Sequence, residues 1–141
     1  MPQQIPRVAQ DFQAGWNSHD WNKFAPLFTD DCVYEDLALG RVCHGKEEAK
    51  AFFDETLVFS ADFKIELKSA FVAGDWMGSE WIMSGTHTGD VPAMKATGKK
   101  FSIRGASILE LRKGKISRNT DYWNMASFLQ QVGLMPAAPT K

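Results

Sequence analysis

A change of hydrophobic period at Asp62 narrows the fold more than any other feature of this sequence. Upstream, apolar residues recur at helical spacing: Ile5, Val8, Phe12 and Trp16, then Trp21, Phe24, Leu27 and Phe28, then Ala49, Phe52, Phe53 and Leu57. Downstream the repeat is two, with Phe63, Ile65 and Leu67 alternating with Lys64, Glu66 and Lys68. A helix buries one stripe every 3.6 residues and a strand buries every second residue, so the chain reads as helices followed by a half-buried antiparallel sheet. Turn and cap residues mark the limits. Asn17-Ser18 break the first helix, Asp20 caps a second, and Pro26 kinks or shortens it. A short strand from Cys32 to Leu37 follows, and Gly45 precedes a helix with Glu47 and Glu48 in its first turn, where carboxylates suit the dipole. Gly74-Asp75 and Lys113-Gly114 read as turns between long strands at Trp76 to Thr88, Lys99 to Arg112 and Lys115 to Trp123, with a loop from Gly89 to Gly98. Asn124 then caps a short helix carrying Phe128, Leu129 and Val132, and Gly133 stops it. The order predicts an α+β fold, with a curved antiparallel or mixed sheet around three N-terminal helices and a short C-terminal helix. The concave face of such a sheet is apolar and is the default place for a ligand.

The 141 residues fit one domain, with a core over 5–134 and a loose tail over 135–141. Charge excludes one large class of partner. Sixteen Lys and Arg face seventeen Asp and Glu, net −1, which leaves no basic excess to bind nucleic-acid phosphates. No apolar run approaches the roughly 18 residues of a membrane span. Met1-Pro2-Gln3-Gln4 lacks a basic-then-apolar leader pattern, and the two cysteines, Cys32 and Cys43, form no disulfide framework. A reduced, cytoplasmic protein is the expectation. No Cys/His cluster predicts a metal site, no Gly-rich loop predicts a phosphate site, and no G-x-S-x-G motif predicts a nucleophile. Ten Phe, five Trp and two Tyr are the compositional excess, and they serve either a large core or an apolar pocket.

The segments Phe28-Thr29-Asp30-Asp31-Cys32-Val33-Tyr34-Glu35-Asp36 and Gly85-Thr86-His87-Thr88-Gly89 carry a family resemblance. So does the run from Thr97-Gly98-Lys99-Lys100-Phe101 through Arg104-Gly105 to Gly114-Lys115-Ile116, ending in Asp121-Tyr122-Trp123. Over residues 5–134 the chain resembles the SnoaL-like, or polyketide cyclase-like, branch of the nuclear transport factor 2-like superfamily. The resemblance implies a cone-shaped α+β fold. That superfamily includes ketosteroid isomerases, limonene-epoxide hydrolases, polyketide cyclases and members without known activity, so fold alone does not fix function.

Candidate site residues follow from strand faces. A two-residue turn at Lys113-Gly114 sets Arg112 opposite Lys115, which predicts Asp121 opposite Ala106 and Trp123 opposite Arg104. Asp121, Asn119, Trp123, Ala106 and Arg104 are then expected on one face. Phe101, Ile103, Leu109 and Leu111 are expected on the other, where they suggest a homodimer through the outer sheet face. Asp121 with Arg104 is either a structural ion pair or a base with its orienting cation; a carboxylate in apolar surroundings has a raised pKa suited to acid–base work. The resemblance matches Asp121 to the polyketide cyclase acid/base aspartate. It also implies a second aspartate for epoxide hydrolysis, and Ala106 stands at that place. Asp36 is similarly either a strand-end carboxylate or a second acid/base, resembling the segment that carries the ketosteroid isomerase base. The isomerase's anion-stabilising tyrosine and acid correspond to Phe12 and Ser107, so that reaction lacks its partners here. His87, sharing a face with Met83 and Trp81, is either a core group or a proton relay; it matches a pocket histidine of polyketide cyclases. Trp16, Tyr34, Met83, Asn119 and Trp123 are the expected substrate-binding residues. The reading is a small-molecule enzyme that needs no cofactor, abstracting a proton next to a carbonyl on a small apolar molecule. A non-catalytic binder of hydrophobic ligands and an epoxide hydrolase are the alternatives.

Overall fold

A computed structural model describes residues 4–92 and 94–137. The leader reading of Met1 to Gln4 therefore falls largely outside the described residues. Of the expected tail, 135–137 are exposed and 138–141 lie outside them.

Helix α1 spans Arg7–Asn17 and α2 spans Trp21–Phe24. The Asp20 side chain accepts from Asn22 N at 2.9 Å, so the predicted cap forms. Pro26 shortens α2, which gives way to a 3-10 turn, Ala25–Leu27, because proline has no N–H to continue the helical ladder. Strand β1 (Phe28–Asp36) starts four residues before the expected strand. A short β2 (Arg41–His44) pairs with it antiparallel, and four residues are too few to show a period in sequence. Helix α3 (Gly45–Phe59) is followed by β3 (Lys64–Ala73), β4 (Trp76–Thr86), β5 (Lys100–Arg112) and β6 (Lys115–Trp123). Helix α4 (Met125–Gln131) closes the order, with Asn124 accepting from Ser127 N at 3.0 Å.

The six strands form one open sheet in the order β2-β1-β6-β5-β4-β3. Only β1 and β6 run parallel, which brings the N-terminal strand beside the last one. The free edge at β3 is covered by α1. Asn17 donates to Ile65 O at 2.9 Å and accepts from Ile65 N at 2.8 Å, while Gln13 accepts from Leu67 N at 2.6 Å. Two helix side chains thus satisfy backbone groups that would otherwise template another strand. Aromatic rings join the helices to the sheet: Trp16 stacks on Phe53 at 4.8 Å and contacts Phe63 at 5.2 Å, and Phe24 meets Phe28 edge-on at 4.9 Å.

The β5–β6 register differs from the expectation by one residue. Lys113 (φ 52°) and Gly114 (φ 79°) make the predicted two-residue turn, and Arg112 does face Lys115. A bulge at Ser117 then lets Leu111 face Ile116 but Glu110 face Arg118. Beyond that extra residue Asp121 faces Ser107 and Trp123 faces Gly105. A one-residue slip turns every later side chain to the opposite face. Asn119 and Asp121 therefore join Phe101, Ile103 and Leu109 on the inner, buried face, and all five are buried. Arg104 and Ala106 lie on the outer face instead, where Arg104 is exposed. The expected grouping of Arg104 with Asp121 does not form, and Phe101, Ile103, Leu109 and Leu111 do not mark the outer face: the first three are buried and Leu111 packs against the core. Among the described residues no helix is long and apolar enough to cross a membrane.

Candidate active site

The inner face of the sheet and the inward sides of α1 and α3 enclose a cavity of about 230 Å³. That exceeds the roughly 150 Å³ of an engineered cavity able to hold benzene. Its walls are aromatic. Phe12 and Trp16 come from α1, Phe52 from α3, and Trp81, Phe101 and Trp123 from β4, β5 and β6. Val91, Pro92 and Met94, from the loop between β4 and β5, close one side.

Two carboxylates enter this wall side by side, because Asp36 on β1 pairs in register with Asp121 on β6. Asp121 is only 7% exposed. Its Oδ1 accepts from Ser107 Oγ at 2.6 Å and from Asn119 Nδ2 at 2.8 Å. Burial pushes its pKa up to about 6; these two hydrogen bonds pull the other way, and the charge of Asp36 adds to the rise. With both donors on Oδ1, the capacity of the second oxygen remains for Tyr34 and for whatever fills the cavity. A carboxylate titrating near 6 is ionised at neutral pH and still basic enough to take a proton from carbon acidified by a carbonyl. Tyr34 is itself buried, and that burial, with the Asp121 charge and hydrogen bond beside it, holds its hydroxyl well above the usual range and therefore neutral, a donor to Asp121 on the cavity wall.

Asp36 is held differently. The Trp123 indole donates to both its oxygens, at 3.1 and 2.9 Å, and Leu39 N donates to Oδ1 at 2.9 Å. Burial raises its pKa, against the pull of these donors. Trp123 holds both oxygens of Asp36, whereas Ser107 and Asn119 share the one Oδ1 of Asp121. At the cavity mouth Arg41 lies over the Phe52 ring, 5.1 Å from its centre, and pairs with Glu55 at 2.5 Å. Sequence reasoning did not find this ion pair, because β2 itself was not legible.

Trp16, Tyr34, Met83 and Trp123 line the cavity as expected, and so does Trp81. Asn119 does not reach the cavity; it stands behind Asp121 and donates to it. Arg104 is on the far side of the sheet. His87 is fully buried on the inner face but lies behind Phe59, whose ring stacks on it at 4.1 Å and 19°. Phe59 lines the cavity and His87 does not. The His87 Nδ1 lies 3.2 Å from Thr97 Oγ1, and burial lowers its pKa. Ser107 is the residue that meets Asp121 across the strands. Its direct signal was the hairpin count, which the bulge displaced by one. Among the described residues, no three His, Cys, Asp or Glu side chains are grouped to hold a metal ion.

The profile of the SnoaL-like polyketide cyclase family matches residues 6–132. A protein of ketosteroid isomerase-like fold from Catenulispora acidiphila, solved in complex with trimethylamine, is 25% identical; 96% of this chain covers 100% of that one, with a TM-score of 0.84. The structure of TsrD from Streptomyces laurentii is 19% identical, with 94% and 100% of the two chains covered and a TM-score of 0.81. A protein from Pseudomonas putida, provisionally assigned as a polyketide cyclase, is 19% identical over 92% and 98% of the two chains, with a TM-score of 0.78. Among curated proteins, none matches this chain.

Proposed function

This chain belongs to the SnoaL-like polyketide cyclase family, and we propose that it is an acid–base enzyme, working without a cofactor, on a small and largely apolar carbonyl compound. The observation that carries the reading is Asp121: a buried carboxylate on the wall of an aromatic cavity, with its pKa at about 6. In the proposed step, Asp121 takes a proton from the carbon next to a substrate carbonyl. The C–H electron pair forms a carbon–carbon double bond, the carbonyl π pair moves onto its oxygen, and an enolate is left. In a cyclase that enolate carbon attacks a second carbonyl carbon of the same molecule, forming a C–C bond. The resulting alkoxide recovers the proton, so atoms and charge balance. Tyr34, whose neutral hydroxyl bonds to ionised Asp121 before the reaction, is the candidate donor to the enolate oxygen once Asp121 has taken the proton. Trp16, Met83 and Trp123 hold the apolar body of the substrate. Asp36, tied to Trp123 and Leu39, orients the wall rather than the reaction.

Epoxide hydrolysis is the weaker reading. It asks for an arginine beside Asp121, and Arg104 is exposed on the outer face. The test is a stability screen of the protein against aromatic polyketides, steroids, terpene epoxides and fatty acids, followed by turnover of the class that binds. Turnover that falls 10²- to 10⁴-fold in Asp121→Asn, about the size of a general-base contribution, is expected. Saturable binding with no turnover would leave a non-catalytic ligand carrier. Retained turnover in Asp121→Asn would remove Asp121 as the base.

We further propose a cytoplasmic homodimer through the outer sheet face. Phe71, Trp76, Ile108 and Tyr122 are each more than two-fifths exposed there, which is unusual for large apolar side chains in one region. Light scattering at micromolar concentration should return twice the 15.8 kDa chain mass; a monomer mass would overturn the dimer.

A further inference from the structure

The hydroxyl that meets Asp121 is held from its other side. Trp81 Nε1–H donates to Ser107 Oγ at 2.8 Å, and an indole nitrogen can only donate. That contact takes a lone pair of Oγ. The single hydroxyl proton is then directed to Asp121 Oδ1 at 2.6 Å. The three groups are buried, so no bulk water competes for either hydrogen bond. The reach of Trp81 depends on a missing side chain. Trp81 pairs directly with Gly105 across β4 and β5, and a Cβ at Gly105 would lie 2.3 Å from the indole ring. The indole lies across the strand at that glycine and arrives at Ser107, two residues further along the same face.

We propose that Trp81 is a positioning residue for Asp121, acting through Ser107: the indole N–H fixes the serine hydroxyl as a donor to the carboxylate. The consequence for catalysis rests on Asp121 being the base, as proposed above; the hydrogen-bond relay itself does not. A serine without such a partner is a rotor that can present either its proton or a lone pair to the carboxyl group. Committed as a donor, it favours the ionised form, the one that accepts a proton. The other titratable or charged groups bearing on the site are Tyr34 and Asp36 from β1, with Arg41 of β2 and Glu55 of α3 at the cavity mouth.

The relay is tested by following the Asp121 carboxyl carbon by NMR through a pH titration, its resonance assigned by loss in Asp121→Asn. The wild type, Trp81→Phe, Ser107→Ala and the double variant are compared. Trp81→Phe keeps an aromatic ring in the core and removes the donor together with the volume of the second ring. Its Asp121 midpoint should rise, that of Ser107→Ala should rise further, and the double variant should match Ser107→Ala alone. Ser107→Thr, which restores a hydroxyl, should bring the midpoint back towards wild type. An unchanged midpoint in folded Trp81→Phe, or a double-variant shift equal to the two single shifts added, would overturn the proposal. Should Trp81→Phe fail to fold, the wild-type protein decides. The Trp81 indole N–H resonance should then titrate with the Asp121 midpoint and become flat in Asp121→Asn. A resonance that never follows Asp121 would overturn the relay. Shifted midpoints in variants whose turnover does not change would instead remove Asp121 as the base and leave the relay standing.

Discussion

Asp121 and His87 sit on the same inner face of the sheet, both buried, and their surroundings part them. Burial moves each towards its neutral form, so the carboxyl pKa rises and the imidazole pKa falls. Asp121 faces the cavity and receives two donors on a single oxygen. His87 is sealed behind the Phe59 ring and faces Thr97. A perturbed pKa therefore does not by itself distinguish a reactive group from a packed one; access to the cavity does. The same contrast separates the neighbouring acids. Asp36 has both oxygens occupied by the Trp123 indole, while Asp121 keeps capacity on one side.

The contrast can be broken most strongly at the ring that creates it. Phe59→Ala removes the wall between His87 and the cavity. It should cost roughly 3 kcal/mol, the low end for an aromatic truncation because Phe59 is only partly buried. The His87 midpoint should rise towards its ordinary value, since water then reaches the ring. An unchanged His87 titration with the expected destabilisation would show that Thr97 and the backbone, rather than Phe59, set it.

The cost of burying Asp121 can be measured against pH. Its folded pKa is raised above the unfolded value of about 3.9, so the native state holds a proton that the unfolded state releases between about pH 4 and pH 6. Stability contributed by the neutral acid is present below that window and lost as pH rises through it. Asp121→Asn stays neutral and lacks this loss. It should match the wild type near pH 4 and exceed it at pH 7.5 by on the order of 3 kcal/mol, the equivalent of about two pKa units. Urea unfolding at the two pH values checks the sign, and a variant less stable at pH 7.5 would contradict the burial account.

A smaller effect tests the glycine beneath Trp81. Gly105→Ala places a methyl group where the indole now lies, so the indole must shift or the strands must part. The expected cost is about 1–3 kcal/mol, typical of overpacking, with a change in tryptophan fluorescence. Smallest is the hairpin turn. Lys113 holds φ 52°, a conformation glycine adopts more readily, so Lys113→Gly should be neutral or stabilise by up to about 1 kcal/mol in thermal unfolding. Neither Lys113→Gly nor the turn it occupies touches the cavity, and turnover should be unchanged.

Much of this architecture was legible because it is written in local chemistry. The switch of period at Asp62, the Asp20 and Asn124 caps, the Lys113-Gly114 turn and the limits of β6 depend on neighbours in sequence, and each formed as expected. Strand β2 and the Arg41–Glu55 pair at the mouth did not show, since a four-residue strand gains its identity only by pairing with β1.

The sequence by itself determined the α+β order, the wealth of aromatic side chains for the interior, and the presence of Asp121 and Asp36 on strands; that those two strands pair was decided by the tertiary structure. Only the tertiary structure decided which way those strands face. The bulge at Ser117 is one unpaired residue whose place is set by β5, by β1 and by the burial of Ile116. Because side chains alternate with period two, that single residue turned Asp121 from Ala106 to Ser107 and left Arg104 on the outer face.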